Sequence, residues 1–228
     1  MNTVLIVFAI IILTPLILQI ASRYEDHLEL NKKRSRVKKS FDTFFNTLLT
    51  EDTVILDTET TGLSKSSEIV EISIIDIHGN VLLDTLVRPK RKIRSDNKAT
   101  AIHGITNDML VSAPQWKDIH EQVCSILHGR NVVIYNAEFD LRLMEQTAEK
   151  YGLTMPGIHA ECLMMTYGAW DGTPSKYKGF KWHKLADAAK ALGVAIDGQT
   201  HRSLTDCKTT LGVLKKMHQN SAPLLNKK

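Results

Sequence analysis

Between Thr53 and Val87 the chain holds three short apolar stretches, Thr53–Asp57 (TVILD), Ile69–Ile77 (IVEISIIDI) and Val81–Val87 (VLLDTLV). Only His78-Gly79-Asn80 separates the last two, a turn signal that joins strands into a hairpin. The pattern then changes to alternation. Helical periodicity spans Pro114–Leu127, ending before Gly129. Asn131–Tyr135 (NVVIY) reads as a buried strand, and Asp140–Tyr151 as a helix closed by Gly152. Ile158–Glu161 suits a short strand leading into a helix near Leu163–Ala169. Helices are expected at Lys184–Leu192, stopped by Gly193, and at Ser203–His218. The basic, polar segment Arg88–Lys98 reads as a loop. Strands first and alternation afterwards predict an α/β fold, with a mixed central sheet flanked by helices. No internal repeat or low-complexity tract interrupts it.

The N-terminus carries a different signal. Thr3–Ala21 (TVLIVFAIIILTPLILQIA) has no charge, and at about 1.5 Å per residue it would extend about 28 Å, close to the thickness of a bilayer core. Pro15 is compatible with a transmembrane helix. A cleaved signal peptide would place basic residues before the apolar run, whereas here they follow it. Seven Lys/Arg and three acids fall within residues 22–40. Of the chain's 29 basic and 25 acidic residues, 22 of each therefore lie beyond position 40, and the net charge of +4 belongs to one segment. The expectation is a single-pass anchor over 1–21 with its N-terminus outside, a catalytic domain in the cytoplasm and contact with membrane lipid. Residues 22–50 would form a basic, then amphipathic linker. Phe41, Phe44, Phe45, Leu48 and Leu49 share one helical face there, free to lie on the domain or on the membrane. The globular domain is expected over 51–218, with a short tail over 219–228.

Acidic residues carry the chemistry. Asp57 and Glu59, in Asp57-Thr58-Glu59-Thr60-Thr61-Gly62-Leu63, are two apart in an extended segment and so point to one face. Two like charges held together call for a cation or a proton. Asp140 ends Asn136-Ala137-Glu138-Phe139-Asp140, just past the buried strand, where alone it would suit a helix N-cap. Asp206 follows His201 by five residues, about 500° of helix, so the two converge only if His201 stands in the loop before the helix. Taken together, four carboxylates suit Mg²⁺ or Mn²⁺, and an imidazole can deprotonate water near neutrality. Two such ions about 3.5–4 Å apart can stabilise the attacking and leaving oxygens of phosphodiester hydrolysis. Cys124, Cys162 and Cys207 are odd in number, scattered and without a C-x-x-C pair, which fits neither a disulfide framework nor a zinc knuckle.

In this order, D-x-E-T-T-G-L, N-A-x-F-D and H-x4-D resemble the motifs of the DEDD superfamily of 3′→5′ exonucleases, in its histidine-containing branch. The style is that of the proofreading subunit of bacterial replicative DNA polymerase and of ribonuclease T. Ile102-His103-Gly104-Ile105-Thr106 and Leu185…Leu192-Gly193-Val194 add to the likeness, which runs from Val54 to about Leu214. The resemblance implies a ribonuclease H-like fold and two Mg²⁺ or Mn²⁺ ions. Asp57, Glu59 and Asp206 would bind the ion that activates water. Asp57 and Asp140 would hold the second, and His201 would act as general base. Glu59 and the turn Thr60, Thr61, Gly62 and Leu63 would lie against the terminal nucleotide, with His103, Ile105, Asn136 and Phe139 shaping its pocket. The chain departs from the family at Glu161-Cys162-Leu163, where Asp-Thr/Ser-Leu is frequent, and at Ser203 and Cys207, where alanine is frequent.

Substrate contacts beyond the terminal nucleotide are expected from Lys176-Tyr177-Lys178-Gly179-Phe180-Lys181-Trp182-His183-Lys184, which alternates cations with aromatics. Bases stack on aromatics while Lys176, Lys178 and Lys181 meet phosphates. Arg88–Arg94 (RPKRKIR) is a second basic segment. The implied partner is a single-stranded 3′ end of DNA or RNA. Two alternatives use the same fold: a catalytically silent nucleic-acid-binding module, and a polymerase-associated subunit whose main task is partner binding. The first would have lost a ligand or the base, and all five residues are present. The second would carry an aromatic clamp-binding tail, which Gln219–Lys228 (QNSAPLLNKK) lacks.

Overall fold

The computed structural model of the chain describes residues 28, 31–32, 35–37, 39–94 and 96–220. Five strands form one sheet in the order β3-β2-β1-β4-β5: β1 (Thr53–Thr60), β2 (Ile69–Asp76), β3 (Val81–Leu86), β4 (Asn131–Ile134) and β5 (Ala160–Cys162). The tight turn after β2 makes β2 and β3 antiparallel, and β1 is antiparallel to β2. On its other edge β1 runs parallel to β4, which runs parallel to β5. The seven helices described are α1 (39–48), α2 (Thr100–His103), α3 (Trp116–Leu127), α4 (Ala137–Glu149), α5 (Leu163–Asp171), α6 (Leu185–Leu192) and α7 (Ser203–Gln219).

Alternation along β1 divides the core. Val54 and Leu56 point toward α3 and α4, joining Trp116, Val123, Leu143 and Met144. Ile55 points the other way, joining Ile75, Val133, Leu211, Leu214 and Met217 beneath α1, α5, α6 and α7. A smaller cluster of Val70, Ile93, Ile105, Leu110 and Ala113 closes one edge. Helices on both faces of a mixed sheet give the ribonuclease H-like architecture.

The linker's amphipathic face belongs to this core. Phe45 is fully buried and Leu48 nearly so, while Phe41, Phe44 and Leu49 pack around them. The Phe45 ring lies 5.9 Å from the His218 ring, joining α1 to the end of α7.

Two boundaries differ from the sequence reading in ways that matter for the site. β1 runs three residues past Asp57, because its pairing with β2 continues to Thr60↔Ile69 through an irregularity at Glu59/Thr60. Asp57 and Glu59 are therefore held within a paired strand. α4 begins three residues earlier than expected, so Asp140 lies inside its first turn. The four-residue α2 is too short for periodicity to reveal.

The expected fold class included one N-terminal transmembrane helix, and that part is corrected. Among the described residues no helix is long and apolar enough to cross a membrane. The 17-residue α7 carries Asp206, Lys208, Lys215 and Lys216, and its apolar face is spent on the sheet. The expected span Thr3–Ala21 lies outside the described residues, as do most of the basic segment and residues 221–228 of the tail. The expectations built on the anchor fall with it: a membrane location, an outward N-terminus, a cytoplasmic catalytic domain and a lipid partner.

Phe45→Ala should cost about 3–5 kcal/mol of unfolding free energy, as for other buried aromatics. Urea denaturation checks this. A loss below about 1 kcal/mol would mean that α1 contributes little to the domain.

Candidate active site

The site forms where β1 outlasts its parallel neighbour. β4 pairs with β1 only as far as Ile55↔Val133, so the chain leaving β4 turns into α4 beside the C-terminal half of β1. Ligand sites favour this position, at the carboxyl ends of parallel strands where the connections diverge to either side. The Thr58 N–H, facing the edge that β4 has vacated, donates to Asp140 Oδ1 at 3.1 Å, and the Thr58 hydroxyl donates to the same oxygen at 2.7 Å. Asp140 is thus buried against β1, while Asn136 takes the N-cap position without a side-chain capping bond.

Asp57 and Glu59 lie on the face covered by α7. Their direct cross-strand partners are Ser73 and Glu71. Two glutamates facing each other would repel, but Glu71 has another partner. Its buried carboxylate accepts a forked pair of bonds from Arg202, at 2.9 Å from Nε and 2.5 Å from Nη2, and a bond from the Ser203 N–H at 2.9 Å. Ser203 is the first residue of α7, so Glu71 sits at the positive end of that helix. Ser73 adds a 2.6 Å hydroxyl contact to Ser203. These contacts fix the start of α7 over β2 and bring Asp206, in its first turn, alongside Glu59.

His201 stands just before this clamp at φ 59°, the one non-glycine residue with positive φ among those described. Histidine enters the left-handed region more readily than most residues, and a residue held there at a site is a mark of local constraint. The conformation turns the His201 backbone N–H onto the Asp206 carboxylate and leaves the ring exposed at the cleft mouth. Glu59, His201 and Asp206 each present one ligand atom, all within 4.8 Å of one another.

Burial and crowding raise the proton affinity of these acids. Burial pushes the Asp57 carboxyl well above its ordinary range, followed by repulsion from Asp140, Asp206, Glu59 and Glu71. Glu59 is pushed up to about 8, by burial and then by Asp206, Glu71 and Asp140. Asp140 is pushed up to about 7 by burial, against the pull of its Thr58 hydrogen bonds. Burial also raises Asp206, partly offset by His201. Such a cluster is poised to exchange protons for cations, and its all-oxygen donors with one imidazole fit Mg²⁺ or Mn²⁺.

Two clefts meet here. One of about 280 Å³ is lined by Asp57, Glu59, Asp140, Asp206, His201, Tyr135 and Asn136. The other, about 580 Å³, is lined by the turn Thr60–Leu63, His103, Asn97, Ile102 and Lys98. Thr58, Glu59, Phe139 and His201 border both. Gly62 bends the turn at φ 147°, and the Asn97 side-chain amide donates to Thr61 O at 2.7 Å. His103 is buried. Its Nδ1 accepts from the Ile105 N–H at 2.9 Å, so Nε2 carries the proton and bonds Thr60 O at 3.2 Å. His103 therefore braces the cleft wall.

The structure brings together the four acids and His201, and lines the adjoining clefts with Thr60, Thr61, Gly62, Leu63, His103, Asn136 and Phe139. Ile105 is elsewhere, fully buried in the small edge cluster. Lys176, Lys178 and Lys181 are exposed and line neither cleft. Sequence reasoning missed Glu71, Arg202 and Asn97. Glu71 had left a signal, as the one charge within Ile69–Ile75: a charge in a buried strand needs a partner.

The Exonuclease family model matches residues 54–214. The chain belongs to this family. The uncharacterized exonuclease CP81 of Escherichia phage 186 is 47% identical over 180 residues, covering 76% of this chain and 92% of that protein. The epsilon subunit of DNA polymerase III from Buchnera aphidicola subsp. Schizaphis graminum is 35% identical over 107 residues. That match covers 42% of this chain and 45% of that protein, so the chain spans under half of that relative. Among solved structures, exonuclease X in complex with 5′ overhanging duplex DNA is 27% identical with a TM-score of 0.55, covering 77% of this chain and 99% of that one. The nuclease domain of 3′hExo, a DEDDh family member bound to rAMP, shares the fold at 18% identity. Its TM-score is 0.60, with 75% and 92% covered. In this exonuclease the four acids and the histidine singled out in the sequence lie in one cleft.

Two outcomes follow. The acids titrate higher when folded than unfolded, so the metal-free fold binds more protons than the unfolded chain between about pH 4 and pH 8. Its stability must fall as pH rises through that window. Melting in EDTA should give a lower Tm at pH 8.5 than at pH 5.5, and Mn²⁺ should raise Tm more at pH 8.5. A larger Mn²⁺ effect at pH 5.5 would contradict the assignment. Glu71→Gln should cost about 2 kcal/mol, less than a fully buried pair because Arg202 is one-third exposed. It should also lower kcat with little change in KM, measured on a labelled oligonucleotide; a KM effect alone would speak against the clamp.

Proposed function

We propose that this exonuclease removes nucleotides from the 3′ end of single-stranded DNA or RNA by a two-metal hydrolysis. The convergence of Glu59, His201 and Asp206 ligand atoms within 4.8 Å supports this most directly. Asp57, Glu59 and Asp206 would hold one Mg²⁺ or Mn²⁺, and Asp57 with Asp140 the other. Bound there, the ions supply Lewis-acid polarisation of the phosphate and offset charge on the attacking and leaving oxygens.

The chain's own groups do the rest. Exposed at the cleft mouth, the His201 imidazole takes the proton from the attacking water and releases it to bulk solvent between turnovers. The Thr60–Leu63 turn supports the terminal nucleotide, with exposed Leu63 and partly buried Phe139 offering apolar faces to the base. Thr58 keeps Asp140 turned toward Asp57. None of these contacts reads a particular base, which suits stepwise removal of any 3′ nucleotide. Among the solved relatives one is described with duplex DNA and another with rAMP; a 2′-hydroxyl reader would be a matter of pocket shape.

Matched 5′-labelled single-stranded DNA and RNA, incubated with the protein and Mn²⁺, Mg²⁺ or EDTA, test the reading. Stepwise shortening that requires metal is expected, and the rate ratio assigns the sugar. Asp57→Ala and Asp206→Ala should abolish it with the fold intact by circular dichroism. His201→Ala should slow it by about 10²–10⁴ while retaining Mn²⁺-dependent thermal stabilisation. Full activity in any of the three would refute that residue's role.

A further inference from the structure

Between α5 and α6 the chain forms a hairpin that the two clefts do not use. Pro174 bridges Phe180, the Ser175 N–H donates to Gly179 O at 3.0 Å, and the Lys181 N–H donates to Thr173 O at 2.9 Å. Its surface is unusual in two respects. Residues 172–184 hold four lysines and no acid. They also expose three aromatic rings: Tyr177 at 85%, Trp182 at 62% and Phe180 at 45%. The other two tryptophans, Trp116 and Trp170, are buried. Large apolar rings left in water among like charges mark a binding surface.

The base of the hairpin, unlike its tip, is fixed. Gly168 of α5 lets the Lys181 carbonyl approach to 2.8 Å from where a β-carbon would stand. The His183 ring meets the Tyr167 ring edge-on at 5.2 Å. The Tyr135 hydroxyl donates to His183 O at 2.9 Å, and Tyr135 lines the acidic cleft with Leu185, the first residue of α6. Trp182 is thus three residues from the cleft wall, on the order of 10 Å of chain at most. A held hairpin presents rings and cations beside the mouth of a site that receives a polyanion's end.

We propose that this hairpin is the landing platform for the single strand that leads to the scissile 3′ nucleotide. Lys176, Lys178 and Lys181 meet successive phosphates, and Trp182 and Tyr177 stack on bases. The ligand class is single-stranded nucleic acid of any sequence, because every base offers a π-face and every phosphate the same charge. The inference rests on the exonuclease reading for its direction, and its test has an arm independent of catalysis.

That arm is binding of labelled oligothymidylate to the full-length protein in EDTA, followed by fluorescence anisotropy across a salt series. The combined Lys176→Ala, Lys178→Ala and Lys181→Ala variant should bind more weakly. Its slope of log Kd against log salt should be shallower by about 2, since each single-strand phosphate contact contributes about 0.7. Trp182→Ala should weaken binding about tenfold, with Trp182→Phe restoring most of it. The second arm compares turnover of the oligonucleotide with that of the p-nitrophenyl ester of thymidine 5′-phosphate, which fills the cleft alone. The ratio of oligonucleotide to ester turnover should fall in the same variants. An unchanged affinity and salt slope in the triple variant overturns the platform. A wild-type protein that binds the oligonucleotide through the hairpin yet hydrolyses neither substrate overturns the exonuclease reading instead.

Discussion

The buried carboxylate of Glu71 makes α7 and the sheet a single unit. Its register opposite Glu59 would be repulsive on its own. Arg202 and the first N–H of α7 turn that liability into the joint on which the site hangs, because they bring the helix start to the one strand pair that carries the acids. Asp206 reaches Glu59 because Ser203 is held, and His201 takes its strained conformation because the residue after it is forked onto Glu71. A buried ion pair often adds little net stability; here its product is position. The same logic applies on the other side of β1, where Thr58 uses a backbone donor freed by the early end of β4 to hold Asp140.

The site therefore rests on mismatch between strands. β1 is longer than β4, and the leftover edge is filled by a side chain from α4. The cluster that results is unfavourable without cations: four carboxyls share a small volume, and burial raises the proton affinity of each. The fold supplies that cost from its two apolar layers, and bound cations would relieve it.

Much of this was legible in the residues. The D-x-E pair, the N-A-x-F-D run and the H-x4-D spacing named the five groups that meet in the cleft, since strand alternation and a loop before a helix are local rules. The hairpin turn and the change to alternating elements gave the mixed sheet. What was hidden depended on contacts far apart in sequence. Ile105 sits beside a motif histidine, yet its side chain enters the edge cluster, a distinction that no local pattern makes. Taken alone Asp140 suited a cap, because the partner that holds it, Thr58, is 82 residues away. The apolar face of α1 could have met either lipid or protein, and Phe45 and Leu48 lie in the core. The uncharged opening run suggested a membrane span, but no described helix meets that requirement.

The central position of β1 and the late place of α7 in the chain have a consequence for synthesis. Asp57 and Glu59 are made before His201 and Asp206, which follow only after about 140 further residues. During synthesis a growing chain of this kind holds only part of that set. A complete set of the five groups has to wait until the helix bearing Asp206 has emerged and docked. The order of elements along the chain thus acts as a delay between the first carboxylates and the finished site.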